Sequence, residues 1–172
     1  MFKHNGTGTH FWITEGVLQP LLEWRTTDGH ALELSGRTFA CKATGNQWFK
    51  QLVVAQDGDV LLELTAQSAD NRRRTMVVKR RRGELPKGIS VKEATEGLLS
   101  FEASGVAFEV KSASAAKFAR KDAARDKYHH LNVGFESGIP PGVHATGIFA
   151  QLAGLEPMLA ATKEMLKPPT AL

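Results

Sequence analysis

The chain has one cysteine, Cys41, in 172 residues. An internal disulfide framework of the kind that staples small secreted domains is therefore excluded. Cys41 stands in RTFACKA, two residues from Phe39, and is expected to be a buried apolar side chain. Apolar runs reach four or five residues, far short of the roughly 20 that a membrane-spanning helix needs, so no transmembrane segment is expected. The opening MFKHNGTGTHFWITEG has no apolar core behind a basic start and does not read as a secretory signal. There is no Gly-x-Ser-x-Gly elbow and no catalytic-cysteine signature, and the expectation is a non-catalytic chain without a cofactor. A site of scattered Ser, His and acidic residues assembled by the fold is a weaker third reading. The six histidines lack ligand spacing: His4, His10, His30 and His144 have no neighbouring cysteine or paired carboxylates, and the adjacent His129 and His130 point to opposite faces of a strand. No metal is expected.

What is present is an ordinary globular balance, 42% hydrophobic and 23% charged. The length suits one domain with a sizeable core, taken as a β-rich domain over residues 1–167 with a frayed tail at 168–172. Two Asp-Gly pairs organise the first half. Asp28-Gly29 and Asp57-Gly58 each stand between apolar runs, where Gly tolerates positive φ and Asp bonds its own backbone, so each predicts a hairpin. After the second, Val60, Leu62 and Leu64 alternate with Leu61, Glu63 and Thr65. Downstream, Val106, Phe108 and Val110 alternate with Ala107, Glu109 and Lys111, and Leu131, Val133 and Phe135 alternate with His130, Asn132 and Gly134. Short strands at spacings near ten residues predict a mainly β fold, an antiparallel β-sandwich or open barrel.

Two stretches depart from period two. Residues 111–127, KSASAAKFARKDAARDK, are Ala-rich and charged and predict a short exposed helix or a mobile connection. Residues 155–167 predict a short C-terminal α-helix, with Pro157 in its first turn and Lys163 and Lys167 near its C-terminal end. Just before it, GVHATGIFAQLAGL has the glycines of a phosphate loop but no lysine in the required place. It reads instead as the closing piece of the domain, with Ile148, Phe149 and Leu152 buried against the sheet. Trp12, Trp24 and Trp48 lie in strand-like runs and are expected to pack in the core or on a sheet face. Asn5-Gly6-Thr7 has the pattern of a glycosylation acceptor, which has meaning only on a secretory route.

The net charge of +4 is unevenly placed. Residues 72–82, RRRTMVVKRRR, hold Arg72, Arg73, Arg74, Lys79, Arg80, Arg81 and Arg82 and no acid. Without those seven, 15 basic residues face 18 acidic ones, a net of −3. The strip suits an edge strand with basic ends. Its cations guard that edge against unwanted pairing, grip an anionic polymer such as a glycosaminoglycan or nucleic acid, or form a processing or targeting signal. No aromatic interleaves with the arginines, so stacking on single-stranded bases is not indicated.

Three segments together resemble a known family. TDGHALELSGRTFACKA, then NQWFKQLVVAQDGDVLLELTA, then KYHHLNVGFESGIPPGVHATGIFAQLAGL are similar in order and pattern to von Willebrand type D-like domains. The likeness is to the C-terminal domain of inter-alpha-trypsin inhibitor heavy chains and to plant root-cap-type domains. It covers roughly residues 27–155, and Gly147, Ile148, Phe149, Ala150 and Gln151 stand where those families have a small-residue closing turn. The resemblance implies a β-rich extracellular or surface module that works through a protein partner or larger assembly. Three departures limit what carries over. Asp28-Gly29 replaces the Asp-Pro bond of the heavy chains, Ala31 replaces an aromatic, and Cys41 stands alone where type D domains have many cysteines. The single cysteine and the absence of a signal-like start point instead toward the cytoplasm.

Overall fold

The computed structural model describes residues 2–41, 46–67, 75–95, 97–114 and 129–168. The order is β1 (Phe2–His4), β2 (Thr7–Thr9), β3 (Gln19–Arg25), β4 (Ala31–Cys41), β5 (Asn46–Gln56), β6 (Asp59–Gln67) and β7 (Thr75–Arg80). Then come β8 (Ile89–Thr95), β9 (Leu98–Ala103), β10 (Val106–Ser114), β11 (His129–Phe135), β12 (Ala145–Thr146), α1 (Ile148–Leu152) and α2 (Ala160–Met165). The fold is mainly β with two short helices, as the alternation predicts.

Local turn chemistry sets the hairpins. Asp57 and Gly58 have φ of 49° and 86° and close β5 onto β6 in two residues. Positive φ at both central positions is the type I′ turn, whose twist matches that of paired strands. Asn5-Gly6, at 47° and 73°, and Ser104-Gly105, at 50° and 83°, do the same for β1–β2 and β9–β10. The triplet at Asn5 is thus a hairpin tip. Asp28-Gly29 also lies at a hairpin, but in a five-residue loop where the Thr26 N–H bonds the His30 carbonyl at 2.9 Å.

The twelve described strands join one hydrogen-bonded sheet, running β12-β3-β4-β5-β11-β10-β9-β8. Pairing is antiparallel except for β1, which lies parallel to β11 through Lys3↔Gly134 and His4↔Phe135. The sheet forks at β5. Phe49 pairs with Leu131 of β11, whereas Gln51–Gln56 pair with β6, which in turn carries β7. The two branches face each other. Trp24 of β3, fully buried, donates its indole N–H to the Ala103 carbonyl of β9 at 3.1 Å and meets Phe101 edge-on. The apolar faces of both branches form one buried cluster, the arrangement that sheets with one apolar face require.

The core closes around Phe149. It is wholly buried, stacked on Phe2 at 4.4 Å between ring centroids, with Phe11 and Phe135 edge-on. Ile148 and Leu152, expected to be buried beside it, are only partly covered, because α1 is a single turn. The second helix spans Ala160–Met165 rather than 155–167. Pro157 precedes it, and the chain enters through Leu159, whose N–H bonds the buried Gln151 side chain at 3.1 Å. The same Gln151 oxygen accepts the Thr162 hydroxyl at 2.6 Å.

Two bulges change which side chains point inward. Between Arg37↔Gln51 and Thr38↔Phe49 the register shifts, leaving Lys50 as the extra residue. Phe49 thereby enters the core, and Trp48 turns to the outer face, where it stacks on His130 at 4.5 Å. A second shift between Val54 and Ala55 leaves Leu61 buried and Val60 about half exposed, the reverse of strict alternation. Lys111–Ser114, read from sequence as part of a helical or mobile segment, belong to β10. The remainder of that segment, the side chain of Cys41 and the tail 169–172 lie outside the described residues.

Candidate functional site

The basic strip is divided by the fold. Arg72, Arg73 and Arg74 lie outside the described residues; Lys79 and Arg80 end β7, and Arg81 and Arg82 follow it. β7 pairs with β6 alone, from Leu62↔Arg80 to Gln67↔Thr75, so among the described strands its other side is an open edge. β8 ends the second branch in the same way, paired only with β9.

Register assigns the strip a sidedness. Met76, Val78 and Arg80 stand opposite Ala66, Leu64 and Leu62, whose side chains are buried, so these three occupy the inward face of β7. Met76 and Val78 pack against the core. Arg80, at the margin, reaches across to Glu93 of β8 with a 2.7 Å ion pair. Glu93 is opposite the buried Leu99, on the inward face of its own branch. That pair therefore bridges the two branches where the sandwich is open. Lys79 is on the outward face and lies 3.8 Å from Glu63. Arg81 and Arg82 are exposed and make no ion pair with a described residue.

A second charged constellation forms at the β3–β4 and β5–β6 turns. His30 of the β3–β4 loop places Nδ1 2.6 Å from Asp57 Oδ2, while Asp57 Oδ1 accepts the Ala31 N–H at 2.9 Å. Asp28 lies 3.7 Å from His30 Nε2. The hydrogen bond to Asp57, and then its charge, raise the His30 pKa above the ordinary imidazole value. The Ala31 N–H and then His30 lower that of Asp57, and a hydrogen bond with Thr26 lowers that of Asp28. All three side chains are about half exposed or more. The arrangement clasps two hairpin tips together. Both Asp-Gly turns and His30 are visible in the sequence. Their meeting is not, because it depends on the register that sets Leu32 opposite Gln56.

His4, His10 and His130 have structural partners. His4 Nε2 accepts the Ile139 N–H at 2.9 Å, and His130 lies under Trp48. Among the described residues no group of three His, Cys, Asp or Glu side chains is arranged to hold a metal ion. An open groove of about 340 Å³ crosses the outer face of β8–β11, walled by Lys92, Glu102, Glu109 and Glu136. No helix among the described residues is long and apolar enough to cross a membrane.

Comparison with known protein families, with characterised proteins and with solved structures returns no match.

Proposed function

We propose that this protein is a non-catalytic interaction module, and that its working surface is the basic margin where β7 and β8 end the two branches. The observation that carries this reading is the placement of the strip. Lys79 and Arg80 end a strand whose other side no described strand covers, and Arg81 and Arg82 follow it. An edge exposes a row of backbone donors and acceptors, and cations beside it select what approaches. The order of segments that resembles von Willebrand type D-like domains supports the same class of role, since those modules work through assembly with partners. Gln151 in the closing turn is buried and hydrogen-bonded, a supporting role for that turn.

A protein partner suits the margin better than an anionic polymer. Within the described part of the strip, Arg80 is engaged by Glu93 and Lys79 lies beside Glu63, which leaves Arg81 and Arg82 for a ligand. Those two correspond to a log–log salt slope of about −1.8 on duplex DNA, so the described margin by itself grips a polyanion weakly. The experiment compares heparin retention with capture of an acidic peptide for the parent chain and the Arg81→Ser/Arg82→Ser double variant. Peptide binding that weakens in the variant, with little heparin retention in either protein, is the expected result. Strong heparin retention that the variant loses would favour the anionic polymer, and unchanged binding of both ligands would remove the margin as the working surface.

A further inference from the structure

The mode of binding at this margin follows from its backbone, and the inference rests on the interaction reading above. The Arg81 N–H bonds the Leu61 carbonyl at 2.8 Å, so Arg81 belongs to a hydrogen-bonded pair with β6. In an antiparallel ladder the residues alternate. The main-chain groups of Lys79 and Val77 then turn toward β6, and those of Arg80, Val78 and Met76 turn toward the side that no described strand covers. Three successive outward positions make a template for one more strand.

The side chains around the template state what that strand carries. On the inward side the margin is unfinished: Met76 and Val78 from one branch and Ile89 and Val91 from the other are only partly buried. An added strand places every second side chain over these residues, and apolar side chains there complete the core. On the outward side the register gives it Val77 and Lys79 as neighbours, with the exposed Arg81 just past the end of β7. Acidic side chains on that face gain cross-strand partners. A second copy of β7 is a poorer occupant: paired in parallel, or antiparallel about Arg80, it sets basic residues against each other, and in no register does TMVVKR bring an acid to Lys79, Arg80 or Arg81. A basic margin favours an acidic strand over one that carries no acid. We infer that the open edge of β7 accepts an extended segment of a partner protein, alternating apolar and acidic residues, by strand addition.

The probe is a capped seven-residue peptide of sequence Glu-Val-Glu-Val-Glu-Val-Glu, titrated into the full chain. Binding is expected, with slowed amide exchange at Met76, Val78 and Arg80. Val78→Pro removes one outward N–H while leaving the bonds to β6, a substitution that edge strands tolerate, and is expected to weaken the peptide about tenfold. Should that variant fail to fold, the same peptide N-methylated on alternate amides makes the measurement on the parent chain. It keeps every charge and loses the ladder, and is expected not to bind. If the methylated peptide and Val78→Pro both bind like the parent while Arg81→Ser/Arg82→Ser weakens binding, strand addition is overturned and the charged margin stands. If the peptide does not bind at all, strand addition fails and the interaction reading loses its acidic partner.

Discussion

The molecule finishes its two margins differently. Around Phe149 the chain covers its own core: Phe2 of β1 stacks on the ring, Phe11 meets it edge-on, and the Trp12 N–H bonds the Met165 carbonyl at 2.7 Å. At β7 and β8 the described chain leaves two strand edges open, bridged by the exposed Arg80–Glu93 pair. The first margin is apolar, and burial is what holds it. The second is charged and half-covered, and exposed ion pairs contribute only about 0–1 kcal/mol each. A protein that seals one side with aromatics and leaves the other to cations separates stability from recognition. Substitutions at the two margins should then fail in different ways.

The largest effect is expected at the sealed margin. Phe149→Ala leaves a cavity among Phe2, Phe11 and Phe135 and should cost about 3–5 kcal/mol in denaturant unfolding. A loss below about 1 kcal/mol would show that the closing segment is not part of the cooperative core.

Gly147→Ala should cost less, on the order of 1–3 kcal/mol. Gly147 has φ of 101°, and a Cβ there would stand 2.9 Å from the Leu21 carbonyl oxygen. The substitution attacks the entry to α1 without removing buried surface, so comparing its unfolding midpoint with that of Phe149→Ala separates backbone fit from burial.

At the open margin, Arg81→Ser/Arg82→Ser should leave unfolding within about 0.5 kcal/mol of the parent, since both side chains are exposed and unpaired among described residues. Its effect should be confined to binding of the acidic peptide. An unfolding loss comparable to that of Gly147→Ala would erase the contrast between the two margins.

The smallest effect concerns the His30 clasp. His30 should titrate above the ordinary value near 6.5 in a proton NMR pH series, and Asp57→Asn should bring it back toward that value. The direction of linkage follows. Stabilisation from the raised His30 pKa is fully present below the unfolded imidazole value and is lost as pH rises through the folded one. The lowered pKa values of Asp28 and Asp57 contribute above the ordinary carboxylate range, and that contribution is lost as pH falls through their depressed values. The clasp therefore tightens the hairpin tips most between about pH 4 and 6.5 and loosens above the His30 midpoint. A His30 midpoint at or below 6.5 would show that the two turns do not meet in solution.

Much of the fold was written locally. Asp57-Gly58 could take positive φ at both positions, and the apolar alternation of Val106 to Val110 could bury only one face, so hairpin and strand followed without reference to distant residues. Phe149 was legible as core for the same reason, being the largest apolar side chain in a short helical turn. The basic strip was legible as a charge run, and its role as an edge strand suited its β-branched centre. What periodicity missed came from single-residue shifts. Lys50 and Leu61 each add one residue to a ladder, and one residue reverses every later side chain, which is how Trp48 came to face outward and Val60 to be exposed. The helix expected from residue 155 shortened because Gln151, buried and bonded to both Leu159 and Thr162, determines where the turn begins.

By itself the sequence determined the strands, their turns and the apolar closing segment, since each depends on φ preference or on alternation within a few residues. The tertiary structure alone decided that β5 forks, that His30 meets Asp57, that Arg80 crosses to Glu93, and which edges of the described sheet stay open. Those facts depend on which strand lies beside which, and pairing across long stretches of chain is set by the burial of the whole apolar surface together, a quantity that no local window contains.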